Sequence, residues 1–328
     1  MFYFSTFFNS TYAAKGLTLY HSLEKVCNDF HLYIFALDDI VSEVFSNLHL
    51  KNATIITLSE LEDEEMLVAK SNRSVGEYCW TCKPCSIAYC LNNFDIDHCI
   101  YVDADLYFLS SPEILLQELG DNNVLITPHN YFPKYDLSSE SGIYCAHLIV
   151  FRNNPESNLV INWWRKKCLE WCYNRVEADR FGDQKYLDKW TTMFNGVHSF
   201  NHNGANGPWN QQKYRFINEE DHIKCVEEET DIKTDVVFFH FHGLRVFKFS
   251  HLLEIYTSLF DLPGSARELV YKPYIEQLMA SNKELEAIDN HHNYLGIQKT
   301  EYKTAYGLLK RLILRWKEKN NHYFYRLY

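Results

Sequence analysis

Short apolar runs alternate with amphipathic stretches through the first half of the chain. Phe2 to Thr6 predicts a strand. Thr11 fits an N-cap position, and the helix after it sets Leu17, Tyr20, Leu23 and Cys27 on one face. Leu32 to Leu37 predicts a second strand, ending in Asp38 and Asp39, and Ala53 to Leu58 a third. Asn72 to Leu91 has a helical pattern with an interruption expected near Pro84. Cys99 to Val102 is an apolar run that stops at Asp103; Val124 to Thr127 and His147 to Phe151 are further strands. Asn158 to Arg175 predicts a helix carrying Trp163, Trp164, Cys168, Trp171 and Cys172. Asn195 to Asn210 reads as loop, because three Gly, one Pro and five Asn favour turns there. Val236 to Phe241 is the last apolar strand, and from about residue 250 the pattern is helical. This alternation predicts an α/β fold: a mixed, mostly parallel sheet flanked by helices, with an α-helical C-terminal extension. The division falls between a domain over 1–250 and an extension over 251–328.

Composition narrows the classes. A 328-residue chain that is 46% hydrophobic and 23% charged can bury a large core, and 12 Gly with 8 Pro leave no room for a collagen-like or linker-rich protein. A net charge of −11 argues against nucleic acid as a partner. Residues 1–16 lack the basic and continuous apolar regions of a signal peptide, so the expected location is the cytoplasm. The stretch 303–328 departs from the acidic balance, with seven Lys/Arg against one Glu and with Leu308, Leu309, Leu312, Ile313 and Trp316 at helical spacing. It reads as a basic amphipathic helix, either docked on the domain or lying on the cytoplasmic face of an anionic inner membrane. The ten cysteines are expected as reduced thiols. Cys79, Cys82 and Cys85 have the opening spacing of an iron–sulfur run, but Cys90 does not complete it, so packed thiols are the expectation.

The candidate chemistry centres on Asp103 and Asp105. An apolar strand running directly into two carboxylates places them at the carboxyl end of a sheet, where ligands of open α/β folds bind. On an extended backbone the two side chains point the same way and can address one divalent cation. Such an ion neutralises charge on a departing diphosphate. His240 ends the apolar strand from Val236, and imidazole beside carboxylates suits a transition metal such as Mn2+. Gly243 is read as permitting close backbone approach.

With these residues the chain resembles a GT-A type glycosyltransferase and is similar to family 8, the retaining hexosyltransferases, over residues 1 to about 245. Four features carry the likeness in order: the strand leading into the Asn9–Leu23 helix, the Tyr101-Val-Asp103-Ala104-Asp105 box with its DXD motif, Gly182-Asp183-Gln184, and His240-Phe241-His242-Gly243. The resemblance implies Mn2+ or Mg2+ held by Asp103, Asp105 and His240, and a nucleotide-sugar donor, with UDP-sugar as the expected form. It also implies a saccharide or lipid-linked saccharide acceptor. Asp183 and Gln184 would stand near the anomeric carbon and the acceptor. Ala104, His242, Gly243 and Arg245 are placed against the donor, Arg245 standing in for a lysine that the family has where Val246 lies here. Thr6, Tyr12, Lys70 and Arg73 are further candidates for base, ribose or diphosphate contact, and Trp209 for an acceptor-stacking surface. Two departures stand out. Phe7 and Phe8 replace an acid after the first strand, and Tyr144-Cys145-Ala146-His147 replaces an Asn-(Ala/Ser)-Gly box. They point to a divergent bacterial branch that builds surface polysaccharide or lipopolysaccharide. Competing readings are an inverting transferase with Asp183 as general base, a non-catalytic carbohydrate-binding relative, and a nucleotidyltransferase, which would need a Gly-rich loop where Phe7 and Phe8 stand.

Overall fold

A computed structural model of the chain describes residues 1–249, 252–298 and 321–326. Strands β1 (Phe2–Phe8), β2 (Phe30–Ala36) and β3 (Ala53–Thr57) follow the predicted pattern, as does β4 (His98–Val102). β5 (Leu106–Phe108) is a short strand just past the two carboxylates; β6 (Val124–Pro128), β7 (Tyr144–Arg152) and β8 (Val197–Ser199) come next. Seven of these form the central sheet in the order β3-β2-β1-β4-β7-β6-β8. β1 pairs in parallel with both β2 and β4, while β7 runs antiparallel to β4 and β6.

Period-two alternation divides the core. Phe4 and Phe8 of β1, Leu32 and Ile34 of β2, and Ile100 and Val102 of β4 face one layer, where Leu17, Tyr20 and Phe45 also pack. Phe7, Tyr33, Phe35, Cys99 and Tyr101 face the other, with Cys82, Cys85, Trp164 and Cys168. The second layer is built from the helices Val75–Asn93 and Pro155–Glu170. The first runs unbroken through Pro84, contrary to the predicted interruption. Proline removes one helical hydrogen bond. Here the turn holding it is buried, and a capping box at Ser74 and Glu77 anchors the start of the helix. Cys82, Cys85 and Cys90 are buried in this layer as free thiols, and burial pushes the Cys85 thiol up to about 12.

The third quarter of the chain holds strands that the sequence pattern did not reveal. β9 (Ala205–Asn206) lies inside the predicted loop, and β10 (Tyr214–Glu219), β11 (His222–Glu227) and β12 (Lys233–Asp235) form an antiparallel sheet. β13 (Phe238–His240) does not join the central sheet: it sits between β5 and β9 in a small three-stranded sheet of its own. The uniformly helical reading beyond residue 250 is corrected too. β15 (Leu252–Tyr256) pairs antiparallel with β14 (Arg245–Phe249) on one side and β16 (His322–Arg326) on the other, while Lys272–Ile288 is the long helix of this region and packs on Ala13–Val26. Most of 303–328, including the amphipathic positions 308–316, lies outside the described residues.

Gly204 clamps β13 in place. Its carbonyl accepts from the amides of Val237 and Phe238, at 2.9 and 3.3 Å, and a Cβ there would lie 2.2 Å from the backbone carbonyl oxygen of Asp235. Gly204→Ala is therefore expected to cost about 1–3 kcal/mol as an overpacking change. If His240 is a metal ligand, as the sequence leads one to expect, the same change should lower divalent-metal affinity; urea unfolding and metal titration check the two effects.

Candidate active site

β4 belongs to the central sheet and β5 to the small one, so Asp103 to Asp105 is the hinge between two sheets. The segment is a tight turn rather than an extended strand, closed by the Leu106 amide donating to the Asp103 carbonyl at 3.1 Å. The turn, not period-two geometry, brings the two carboxylates together. Further bonds fix it: the Asp103 amide donates to the His147 carbonyl, and the Phe241 amide to the Asp105 carbonyl, both at 2.8 Å. β13 runs antiparallel to β5 with His240 opposite Leu106, which delivers the ring beside Asp105. His240 Nε2 lies 3.0 Å from Asp105 Oδ1 and 3.9 Å from Asp103 Oδ2. One ligand atom from each of the three residues falls within 4.8 Å of the others. Two carboxylates and an imidazole in that span fit a Mn2+-like or Mg2+-like ion, with sides left open for other oxygens.

Two buried lysines surround this group, and sequence reasoning missed both. Lys83 Nζ is 3.1 Å from Asp103 Oδ1 and 3.1 Å from Asp183 Oδ2, and donates to the Ala146 carbonyl at 2.9 Å. Lys15 Nζ is 3.7 Å from Asp105 Oδ2 and 4.0 Å from the centre of the Tyr12 ring. Three carboxylates thus face two ammonium groups. Tyr101 donates its hydroxyl to Asp103 Oδ1 at 2.7 Å. Burial acts to raise the Asp105 carboxyl, but His240 and Lys15 outweigh it and hold the group well below the usual carboxylate range. For Asp183 burial wins over Lys83 and the group is raised. Burial opposes the charge on Lys83, yet Asp103 and Asp183 raise it above the ordinary lysine value. A signal for each lysine exists in retrospect. Lys83 is the only charged residue between Tyr78 and Asn92, and Lys15 is embedded in Ala-Ala-Lys-Gly.

The three candidate ligands stand between two cavities. The first, about 380 Å³, is lined by Phe7, Phe8, Tyr12, Trp80 and Ala104 as well as the carboxylates. The second, about 370 Å³, is lined by Asp183, Gln184, Cys145, Tyr131, His129 and Trp209, with Lys83, Asp103, His240 and His242 common to both. Gln184 donates from Nε2 to the Ser141 carbonyl at 2.8 Å, which fixes its amide over the second cavity. Arg245 is exposed and shares a third cavity of about 330 Å³ with Tyr12, Lys15, His242 and Gly243. Gly243 has φ +79° with nothing near its Cβ position, so it serves a left-handed turn and not a close approach.

Other expected positions lie elsewhere. β1 continues to Phe8, so Thr6 is a fully buried strand residue and lines neither of the two cavities beside Asp103 and His240. Lys70 is exposed and paired with Glu62 at 2.7 Å. Arg73 lies over the Tyr173 ring at 3.9 Å and donates to the Leu169 carbonyl. Neither lines those cavities.

The chain is 31% identical over 283 residues to the uncharacterized protein YfnD of Bacillus subtilis (strain 168), an overlap covering 84% of this chain and 88% of that protein. It belongs to the YfnD family. A second uncharacterized protein of the same strain, YfnF, is 28% identical over 289 residues, covering 85% of this chain and 92% of its own. No protein-family profile matches the sequence. Among solved structures, the galactosyltransferase LgtC in complex with donor and acceptor sugar analogs superposes with a TM-score of 0.52 at 14% identity, over 85% of this chain and 95% of that one. This YfnD-family chain therefore has the GT-A type α/β fold expected from its sequence.

Trp209 is not a surface ring in this YfnD-family protein. It is 5% exposed, packs against His240 and His242, and donates its indole N–H to the His129 carbonyl at 2.7 Å. Trp209→Ala is expected to cost about 3–5 kcal/mol. Trp209→Phe, which keeps a ring but drops that bond, should cost about 1 kcal/mol from the lost bond. Chemical denaturation of both variants checks the difference.

Proposed function

We propose that this YfnD-family protein is a metal-dependent glycosyltransferase, moving a hexose-type sugar from a nucleotide-diphosphate donor to a saccharide or lipid-linked acceptor. The observation that carries the reading is the convergence of Asp103, Asp105 and His240 between two cavities at the end of β4. Those residues would hold Mn2+ or Mg2+, which when bound neutralises negative charge gathering on the leaving diphosphate. The cavity lined by Phe7, Phe8 and Tyr12 suits the flat base of a donor such as a UDP-sugar, by stacking rather than by a side-chain carboxylate. Lys15 and Arg245, which share a wall with Tyr12, supply positive charge toward phosphate oxygens.

The second cavity would receive the sugar and the acceptor. Asp183 is tied to Lys83 at 3.1 Å, so its carboxylate serves to hold that amine in place. That arrangement favours a transfer in which the leaving diphosphate takes the acceptor proton, and hence retention, over an inverting mechanism with Asp183 as free base. Gln184 is placed to orient the sugar. The test is a thermal-shift screen of nucleotide sugars with and without Mn2+, followed by the anomeric configuration of the product. A metal-dependent rise in melting temperature for a nucleoside diphosphate sugar is expected. No shift with any donor would sink the reading, and an inverted product would move the catalytic role to Asp183.

The synthesis of surface polysaccharide or lipopolysaccharide at the cytoplasmic face of a membrane fits this reading. No helix among the described residues is long and apolar enough to cross a membrane. Replacing the six Lys/Arg of 303–319 by Gln, which leaves β16 in place, is expected to abolish sedimentation with anionic vesicles while leaving neutral-vesicle behaviour unchanged.

A further inference from the structure

Beside His240, on β7, stand two side chains with no role in the proposed transfer, Cys145 and His147. Cys145 and His147 stand two residues apart on β7, and one ligand atom from each, together with one from His240, falls within 4.8 Å of the others. All three residues are buried, and the His147 and His240 rings lie 5.0 Å apart. His147 is 3% exposed, and neither of its ring nitrogens has a hydrogen-bond partner; the same holds for His240 Nδ1. Buried polar atoms are nearly always paired, and these unpartnered imidazole nitrogens beside one thiol leave each ring with a lone pair to offer a cation.

We propose that Cys145, His147 and His240 form a soft-cation site, suited to Zn2+, that competes with the hard-cation group for His240. Sulfur and two imidazole nitrogens are a set that zinc accepts, with a fourth position left for water or another oxygen ligand. On binding, the Cys145 S–H bond breaks, its proton passes to solvent, and the sulfur lone pair forms the bond to the metal. The competition follows from the chemistry of imidazole. A neutral ring carries one lone pair and one N–H, so it serves one metal at a time. With Nε2–H donating to Asp105 Oδ1 at 3.0 Å, the ring's single lone pair resides on Nδ1, which has no hydrogen-bond partner. With the lone pair on Nε2, the ring serves Asp103 and Asp105 instead. Cys145 Sγ also lies 3.9 Å from Gln184 Oε1, so an ion here bears on the second cavity as well. Only the competition rests on the transferase reading; the Cys-His-His group stands on its own geometry.

The experiment uses the full-length protein freed of metal by chelator dialysis and titrated with Co2+ as a spectroscopic stand-in for Zn2+. One Co2+ per chain is expected, with a thiolate-to-cobalt charge-transfer band that Zn2+ bleaches. Cys145→Ser should abolish the band, and His147→Gln should weaken Co2+ binding at least about tenfold, the loss of one ligand bond. Circular dichroism of both variants verifies folding, and either variant alone suffices as the test. Excess Mn2+ should suppress the band. No band in the wild type, a band that survives Cys145→Ser, or unchanged Co2+ affinity in His147→Gln overturns the site; a band that Mn2+ leaves intact overturns the competition. Failure of sugar transfer itself would leave the band in place, so the two readings fail separately.

Discussion

Lys83→Met is expected to cost about 3–5 kcal/mol, the range for removing one partner of a buried ion pair. The Lys83 side chain is 4% exposed, and its ammonium is the shared counter-charge of Asp103 and Asp183 at 3.1 Å each. Methionine fills the volume but leaves two carboxylates facing each other across a site that solvent barely reaches. Burial already raises the Asp183 carboxyl, and loss of the amine pushes it further, so the variant relieves its strain by taking up a proton. A carboxyl with a raised folded-state pKa binds its proton more tightly folded than unfolded. The deficit is therefore largest above that pKa and shrinks as pH falls toward the unfolded value of about 4. Adding Asp183→Asn should recover part of the loss, because the second carboxylate no longer needs a counter-charge. Urea unfolding of the single and double variants in the presence of chelator, at neutral and acid pH, reads both effects. A single-variant cost under about 1 kcal/mol would place Lys83 among ordinary surface ion pairs and remove it from the site.

That lysine also marks the boundary of what the sequence made legible. The strands of the central sheet could be read because each is an apolar run bounded by polar turns, and Cys99 to Val102 could be assigned because it ends so abruptly at Asp103. The two carboxylates and His240 were readable from residue type and position. The pairing that unites them was not, because the register between β5 and β13 joins segments more than 130 residues apart. Lys15 and Lys83 were obscured for a different reason. A lysine on a helix is by default a solvated side chain, and only tertiary packing against Asp105, Asp103 and Asp183 makes it interior. Strands β11, β14 and β15 set apolar residues side by side next to charged ones, and β12 has no apolar residue, so none shows a clean period-two alternation. Pro84 misled in the opposite direction: local chemistry forecast a break that a buried, well-capped helix overrides.

Asp103→Asn and Asp105→Asn are expected to look alike in activity and unlike in stability. On the transferase reading each removes an anionic ligand, and Mn2+-stimulated donor turnover should fall about a thousandfold, equivalent to about 4 kcal/mol of transition-state stabilisation. Their structural surroundings differ. Asp103 is 26% exposed at its side chain, an amide there can still accept the Tyr101 hydroxyl bond, and Lys83 keeps Asp183 at 3.1 Å as its counter-charge, so the loss of folding stability should be about 1 kcal/mol or less. Asp105 is 10% exposed, and its charge is what His240 and Lys15 face. Replacing it leaves the Lys15 ammonium, 6% exposed, with the Tyr12 ring as its remaining close partner, at an expected cost of about 3–5 kcal/mol. The contrast separates a metal-ligand role from a merely structural one. A residue needed only for folding would lose activity in proportion to stability, whereas Asp103→Asn should lose nearly all Mn2+ response while unfolding at close to the wild-type urea concentration. Mn2+ titration calorimetry alongside denaturation decides it: wild-type Mn2+ affinity in a folded Asp103→Asn protein would rule out this carboxylate as a ligand, and with it the site as drawn.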